Sequence, residues 1–312
     1  MRVIFMGTPV FAVPCLKALL KEGVQVAGVV TQPDRPKGRG QKDIPSAVKE
    51  EAALNGLDIY QPLNLKDFAF IRLLEKLSPD VIVVVAFGRI LPRVILDLPV
   101  RGCINVHASL LPQYRGAAPI HRAIMNGENI TGITTMLINE SLDSGDILLQ
   151  EALPIHKEDT VGTLHDRLAP LGAKLLVKTL QLMEADGLKP VPQDHSKATY
   201  ARIISSEDEV LDWNAPAGII FNHVRGMNPW PGAKTTIDEK ILKIWRVEAV
   251  DLECSKEVTI PGQVVVSGPD GLVVQANPGL VNVKELQLQG GKRLPAVDFL
   301  RGHPVRIGTV LG

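Results

Sequence analysis

Asn105 and His107 stand two residues apart in an apolar, β-type run at 103–107 that reads as a strand. Side chains alternate along a strand, so the amide and the imidazole project together while Val106 faces the opposite layer. An amide can donate to a developing oxyanion, and an imidazole can take a proton near neutral pH. Strand C-termini are also where open α/β sheets bind ligands. A lone histidine at a strand end is most often structural, but the residues after His107 have the composition of a pocket rim. Residues 108–112 form a turn, and Gln113-Tyr114-Arg115-Gly116-Ala117-Ala118-Pro119 bring a cation and small residues to the opening of a helix. A second loop, Ser141-Leu142-Asp143-Ser144-Gly145-Asp146, links two further strands and by itself reads as a plain turn. A third segment, Ala86-Phe87-Gly88-Arg89-Ile90-Leu91-Pro92, takes a buried strand out through glycine, leaving backbone groups free to face a planar ligand. No Ser or Cys nucleophile accompanies these groups. Asn, His and Asp then suggest direct transfer to an external amine, with a base, an oxyanion donor and a carboxylate that holds the imidazole.

Such groups need a scaffold, and the spacing of apolar residues supplies one. Residues 2–6 are a short strand closed by Gly7-Thr8-Pro9, and residues 10–20 return apolar side chains at helical spacing. Further strands are expected at 24–30, 81–86, 131–138 and 146–150, and helices at 45–55 and 67–76. A run such as 81–86, apolar on both faces, belongs in a parallel sheet covered by helices. The longest helical pattern follows Thr160 and carries Leu164, Leu168, Leu171, Leu175 and Met183 on one face up to Gly187, with Pro170 inside it predicting a kink or break. Beyond a Pro- and Ser-rich stretch come a short helix at 216–225 and strands at 235–237, 241–250, 264–267, 272–275 and 280–288. The expected fold class is α/β. A Rossmann-like, mostly parallel sheet with helices on both faces occupies 1–188, a linker 189–207, and a small OB-like β-barrel 208–312. The turn Gly7-Thr8-Pro9-Val10-Phe11-Ala12 lacks the dinucleotide glycine pattern, and Thr31-Gln32-Pro33 stands where an acidic residue would end the second strand. An oxidoreductase is disfavoured.

Composition narrows the class further. The 312 residues are 45% hydrophobic and 22% charged, which excludes a disordered or fibrous chain. No run of eighteen apolar residues occurs, and the N-terminus carries one basic residue before its first strand, which argues against a membrane span or a cleaved leader. Cys15, Cys103 and Cys254 are odd in number, far apart and in apolar contexts. They point to a reducing cytoplasm and away from a disulfide scaffold or a metal site. Lys and Arg equal Asp and Glu at 34 each, so attraction for a nucleic acid must come from local patches.

Several motifs together carry a resemblance. They are Phe5-Met6-Gly7-Thr8-Pro9 with Phe11-Ala12-Val13-Pro14, the segment 86–92, Asn105-Val106-His107-Ala108-Ser109-Leu110-Leu111-Pro112 with residues 114–120, and Leu142-Asp143-Ser144-Gly145-Asp146. Asn222-His223-Val224-Arg225-Gly226 and Asn228-Pro229-Trp230-Pro231-Gly232-Ala233 extend the match over nearly the whole chain. It closely resembles the bacterial methionyl-tRNA formyltransferases, a branch of the 10-formyltetrahydrofolate-dependent formyltransferase family. The resemblance implies a formyl transfer from 10-formyltetrahydrofolate to methionyl initiator tRNA, without a metal, a membrane or an obligatory protein partner. By position it implies that Asn105, His107 and Asp143 are catalytic. Asn105 would hold the formyl oxygen, His107 would take the amine proton and relay it to the folate nitrogen, and Asp143 would tune His107. It places the folate against Ser109, Leu110, Leu111 and Pro112, the backbone of Phe87, Gly88, Arg89 and Ile90, and the 139–143 loop. A basic insertion that enters the acceptor stem maps to 35–42, with Lys37, Arg39 and Lys42 as its cations.

Rival readings remain at the level of sequence. A small-amine formyltransferase acting on a 4-amino sugar nucleotide keeps both domains, whereas the glycinamide ribonucleotide enzymes resemble only the first. The basic loop and the N-terminal motif favour the tRNA. A non-catalytic RNA-binding protein is disfavoured by the intact Asn105, His107 and Asp143. For the second half to act as an RNA platform, Lys240, Lys243, Arg246, Lys292, Arg293, Arg301 and Arg306 must gather on one face. Trp213, Trp230 and Trp245 are possible stacking residues there, with core packing the commoner role.

Overall fold

The computed structural model describes residues 1–37, 42–250 and 260–312, with the backbone alone at 35–37 and 42. Arg39 and Cys254 lie outside the described residues. The chain forms two compact units, each discontinuous in sequence. One comprises Met1–Pro119, Ile130–Pro154 and His165–Ala201, the other Ile120–Asn129, Ile155–Leu164 and Arg202–Gly312.

In chain order the first elements are β1 (Arg2–Gly7), α1 (Val13–Lys21), β2 (Gln25–Val30), β3 (Arg35–Lys37), β4 (Lys42–Ile44), α2 (Ala47–Leu54), β5 (Ile59–Tyr60), α3 (Phe68–Leu77), β6 (Val81–Val85), α4 (Arg93–Leu96), β7 (Cys103–His107), α5 (Pro119–Met125), β8 (Ile130–Leu137), β9 (Ile147–Pro154) and α6 (Val161–Glu184). Ser46 and Asp67 cap α2 and α3, accepting from Lys49 N at 3.1 Å and Ala69 N at 3.0 Å. Seven strands form one sheet in the order β5-β2-β1-β6-β7-β8-β9. The pairs from β5 to β7 are parallel, while β7–β8 and β8–β9 are antiparallel. Val3, Ile4, Phe5 and Met6 of β1 and all of Val81, Ile82, Val83, Val84 and Val85 of β6 are buried, as strands covered on both faces must be. The strand order reverses between β1 and β6, and the crevice beyond the C-terminal ends of such a pair is where this architecture admits ligands.

Two local features differ from the sequence reading. Helix α6 runs through Pro170 without the break expected there, with the proline ring on its exposed face, where the lost N–H bond opens to water. The basic segment after β2 carries a short antiparallel pair, β3 with β4, in which Lys37 lies opposite Lys42. Its strands are too short and too charged to show a periodicity.

The second unit adds α7 (Ala217–Gly226), β10 (Ala233–Ile237), β11 (Lys240–Val250), β12 (Val264–Gly268), β13 (Gly271–Gln275), β14 (Leu280–Leu288), β15 (Leu294–Pro295) and α8 (Ala296–Gly302). Its antiparallel sheet runs β10-β11-β14-β13-β12, with β15 on β14. Alternate residues of β10 turn inward, and with Ile220, Val224, Leu242, Ile244, Val283 and Phe299 they close one apolar core.

A half-buried ion pair anchors the α5 segment within this unit. Arg122 Nη1 and Nη2 donate to the two oxygens of Asp208 at 2.9 and 2.7 Å. The guanidinium holds the Asp208 carboxyl far below its ordinary value of 3.8. A depressed carboxyl contributes stability that is present above its unfolded value and lost as pH falls through the folded one. The Tm advantage of the native chain over Asp208→Asn should therefore be widest near neutral pH and shrink below about pH 4. A gap unchanged from about pH 7 to about pH 2 would deny the pair this role.

Candidate active site

His107 ends β7 and is 5% exposed. Its Nε2 lies 2.9 Å from the carbonyl oxygen of Tyr114. A carbonyl only accepts, so Nε2 carries the proton and the neutral ring presents an unprotonated Nδ1. That nitrogen faces Asp143 Oδ2 at 3.7 Å. Asn105 donates from Nδ2 to Asp143 Oδ1 at 3.2 Å, which fixes the orientation of its amide and leaves one N–H for another acceptor. The amide and the imidazole thus meet one carboxylate on the same side of β7. Val106 points the other way, against Gly172 of α6.

Asp143 sits on the loop between β8 and β9 in a left-handed conformation, φ +45°. Asp tolerates that region better than most side chains. Its Oδ2 also accepts from Gly116 N at 2.8 Å. Gly116 has φ +119°, and a Cβ there would come 2.7 Å from Ala201 O, so only glycine brings this amide to the carboxylate. Within the loop, Asn139 Oδ1 accepts from Ser141 N and Ser144 Oγ, both at 3.0 Å.

The turn after β7 is held just as firmly. Ser109 is buried and its Oγ donates to Gln113 O at 2.6 Å. Leu111 N donates to Thr134 Oγ1 at 3.1 Å, and Leu111 joins Pro112 through a cis peptide. Leu111 is buried, with Leu110 and Pro112 partly exposed. At the exit of β6, Phe87 enters the core and its carbonyl accepts from Thr8 Oγ1 at 3.2 Å and Gln32 Nε2 at 2.8 Å. Gly88 takes φ +76° and Ile90 is 84% exposed. Arg89 spends its guanidinium on the carbonyls of Pro62 and Leu63, at 2.8 and 2.7 Å. Among the described residues the main-chain amides of Gly88, Arg89 and Ile90 have no protein acceptor, so donors stand open beside β1 and β6.

Arg115, which the sequence places at a pocket rim, is instead 3% exposed. Its Nε and Nη2 donate to Gln193 Oε1 at 3.0 and 2.6 Å. Gln193 Nε2 in turn donates to the carbonyls of Asp143 and Gly145 at 3.0 and 2.7 Å. Thr199 Oγ1 accepts from Tyr114 N at 2.8 Å, and Arg115 N donates to Thr199 O at 2.9 Å. The stretch 191–201 has a linker's composition, yet it is bonded to the loops that carry the site. Nothing in the sequence marks Gln193, because its partners are main-chain carbonyls fifty residues away.

Elsewhere the sequence candidates separate. Trp213 is buried, donating to Thr235 Oγ1 at 3.0 Å, while Trp230 is 66% exposed. Lys243 and Arg293 gather over the ring of half-buried Trp245 at 5.5 and 5.1 Å, whereas Arg246 pairs with Glu248 and Arg301 with Asp298. Burial pushes the thiols of Cys15 and Cys103 up to about 12, which leaves them unreactive. Among the described residues no group of three His, Cys, Asp or Glu is arranged to hold a metal. Lys37 and Lys42 end β3 and begin β4, and residues 38–41 between them lie outside the described residues.

The chain matches two protein-family models, "Formyl transferase" over residues 1–180 and "Formyl transferase, C-terminal domain" over 203–304. It is 55% identical to a methionyl-tRNA formyltransferase of Pelotomaculum thermopropionicum, covering 100% of this chain and 99% of that one. Its identity to a methionyl-tRNA formyltransferase of Moorella thermoacetica is 53%, with the same coverage. Among solved structures, an N-formyltransferase of Helicobacter canadensis in complex with folinic acid and dTDP-3-aminofucose superposes with a TM-score of 0.64. That match spans 94% of this chain and 99% of the other at 18% identity, a likeness of fold alone.

Proposed function

Since the chain belongs to the formyl transferase family in both of its halves, we propose that Asn105, His107 and Asp143 divide the work of the reaction it catalyses. The enzyme moves the formyl group of 10-formyltetrahydrofolate to the α-amino group of methionyl initiator tRNA, giving the formylated tRNA for translation initiation. The division of work rests on the single carboxylate that is bonded to Asn105 and faces His107 Nδ1. When bound, the folate supplies the formyl carbon, and the folate nitrogen that loses the formyl group takes a proton in its place. The open amides at 88–90 and the second N–H of Asn105 fit a planar, acceptor-rich ligand, and with Ser109, Leu110, Leu111 and Pro112 they would hold it.

Asn105 donates that second N–H to the formyl oxygen as charge develops on it. His107 Nδ1 is the base for the incoming amine, since Nε2 is committed to Tyr114. A proton arriving on Nδ1 lies at ion-pair distance from Asp143, which balances the imidazolium until the proton moves on. Asp143 thus stands beside the basic nitrogen, where a chymotrypsin-type carboxylate would hold the opposite one.

We assign the tRNA grip to the basic hairpin and the antiparallel half, residues 208–312, whose sheet we read as OB-like. The site lies in the cytoplasm, where charged tRNA is found. Among the described residues no helix is long and apolar enough to cross a membrane. Supplying 10-formyltetrahydrofolate with either charged initiator tRNA or an amino-sugar nucleotide tests the acceptor. Formylation of the tRNA is expected, and formylation of the sugar alone would replace this reading. Arg39, between two glycines, is the cation expected to reach the acceptor stem, because a guanidinium can make a bidentate contact that Lys cannot reproduce. Arg39→Ala should raise KM for tRNA about tenfold, the size of one charged hydrogen bond, and leave folate affinity and Tm unchanged. Equal loss with both ligands, or none with either, would reduce the loop to a surface excursion.

A further inference from the structure

The geometry points to Gln193 as a positioning residue for Asp143, an assignment that rests on the proposed roles of Asn105, His107 and Asp143. Asp143 must hold φ +45° to aim one carboxylate at Asn105, Gly116 and His107 together. A side chain in that region leaves its favoured conformation, and persists there only where its surroundings over-determine it. Its side-chain bonds to Asn105 and Gly116 supply part of that constraint. The main-chain part comes from Gln193, 5% exposed, which donates to the carbonyls on both sides of Ser144, at Asp143 and Gly145. Two donations from one amide nitrogen clamp the peptide units that set the direction of the Asp143 side chain.

Gln193 is itself locked in one orientation. Arg115 directs two N–H groups at Oε1, and a guanidinium can only donate, so Oε1 cannot exchange places with Nε2. His195 Nδ1 lies 3.3 Å from Nη1 and Nη2 of the same guanidinium. Among the described residues no carboxylate lies within 4 Å of Arg115, so a neutral glutamine is the principal partner of a buried cation. Such an arrangement is costly unless every donor has a use, and here the use is the orientation of Gln193. Segment 191–201 thereby fixes the far side of the loop that carries the catalytic carboxylate.

The substitution that separates this role from a structural one is Gln193→Glu. Glutamate keeps the acceptor facing Arg115, and turns that contact into an ion pair, but places an oxygen against both carbonyls where an N–H donor stood. If Gln193 serves only as the partner of Arg115, Gln193→Ala loses stability and activity and Gln193→Glu restores both. If it positions Asp143, Gln193→Glu keeps Tm within a few degrees of wild type while kcat falls about 10–100-fold. KM for folate and tRNA then stays within about threefold, because the groups at 88–90 and 109–112 and the basic segment after β2, proposed to hold most of each ligand, are untouched. A cycle with Asp143→Asn covers the case of a poorly folded Glu variant. Gln193→Ala added to Asp143→Asn should cost less than about threefold further, because the residue it positions is already disabled. Normal turnover in Gln193→Glu, or losses that multiply in the double variant, would overturn the inference and leave the site standing. Normal turnover in Asp143→Asn would overturn the site assignment and this inference with it.

Discussion

Asp143→Asn should lower kcat for formylation by about 10²–10⁴-fold, with folate affinity and Tm close to those of the native chain. The carboxylate has two acceptor oxygens and uses both, taking Asn105 Nδ2–H at 3.2 Å and Gly116 N–H at 2.8 Å. An asparagine has one oxygen. Whichever way its amide turns, one of those two donors meets an NH₂ group, so either the Asn105 amide or the Gly116 backbone must move. The charge that faces His107 Nδ1 across 3.7 Å is lost in the same step. The loss is expected in kcat because most of the groups proposed to hold the folate, at 88–90 and 109–112, do not touch Asp143. Formylation kinetics beside a folate titration measure both quantities. Turnover within about twofold of the native rate would remove Asp143 from the mechanism.

Gly145→Ala should cost about 10²-fold or more in kcat together with a measurable fall in Tm. A Cβ on Gly145 would stand 1.8 Å from Leu137 O and 2.8 Å from Leu137 C. Neither is a side-chain end that can swing aside, because Leu137 closes β8 and its partner in the ladder is Ile104 of β7. The loop must therefore shift by an ångström or more. It carries Asp143 two residues earlier and supplies one of the carbonyls that Gln193 holds. A displacement of that size is enough to carry the Asp143 carboxylate out of line with His107 Nδ1, which the proposed mechanism needs. Gly218→Ala is the matched control, since Gly218 lies in α7 with no atom within 4 Å of the added carbon. That change should leave turnover intact and raise stability slightly, as alanine does in helices. Native activity in Gly145→Ala would mean that the loop adapts without moving Asp143.

Patterns of period two and 3.6 made most of the elements legible, and the alternation of a strand alone put Asn105 and His107 on one side. Runs apolar on both faces, such as 81–85, announced a sheet buried by helices. The motifs carried the resemblance to the family, and the chain's match to relatives over its full length agrees with it. These features are local, or depend only on residue type, which is why a linear chain displays them.

Other features existed only once the chain was folded. A turn-like Asp–Ser–Gly became the partner of a strand 38 residues earlier because β8, from which its loop leaves, pairs with β7. The tautomer of His107 is set by the carbonyl of Tyr114, and no residue type encodes where a carbonyl will point. Arg115 changed from a rim cation into a buried one, and Gln193 from a linker residue into a clamp, through hydrogen bonds that span 78 and 50 positions of the chain. Sequence determined which groups were available for the chemistry and on which face of a strand they would stand. Tertiary structure decided which nitrogen of His107 faces the Asp143 carboxylate and which side chain bonds the main chain of that carboxylate's loop, because both depend on main-chain polar groups that every residue shares and only the fold can aim.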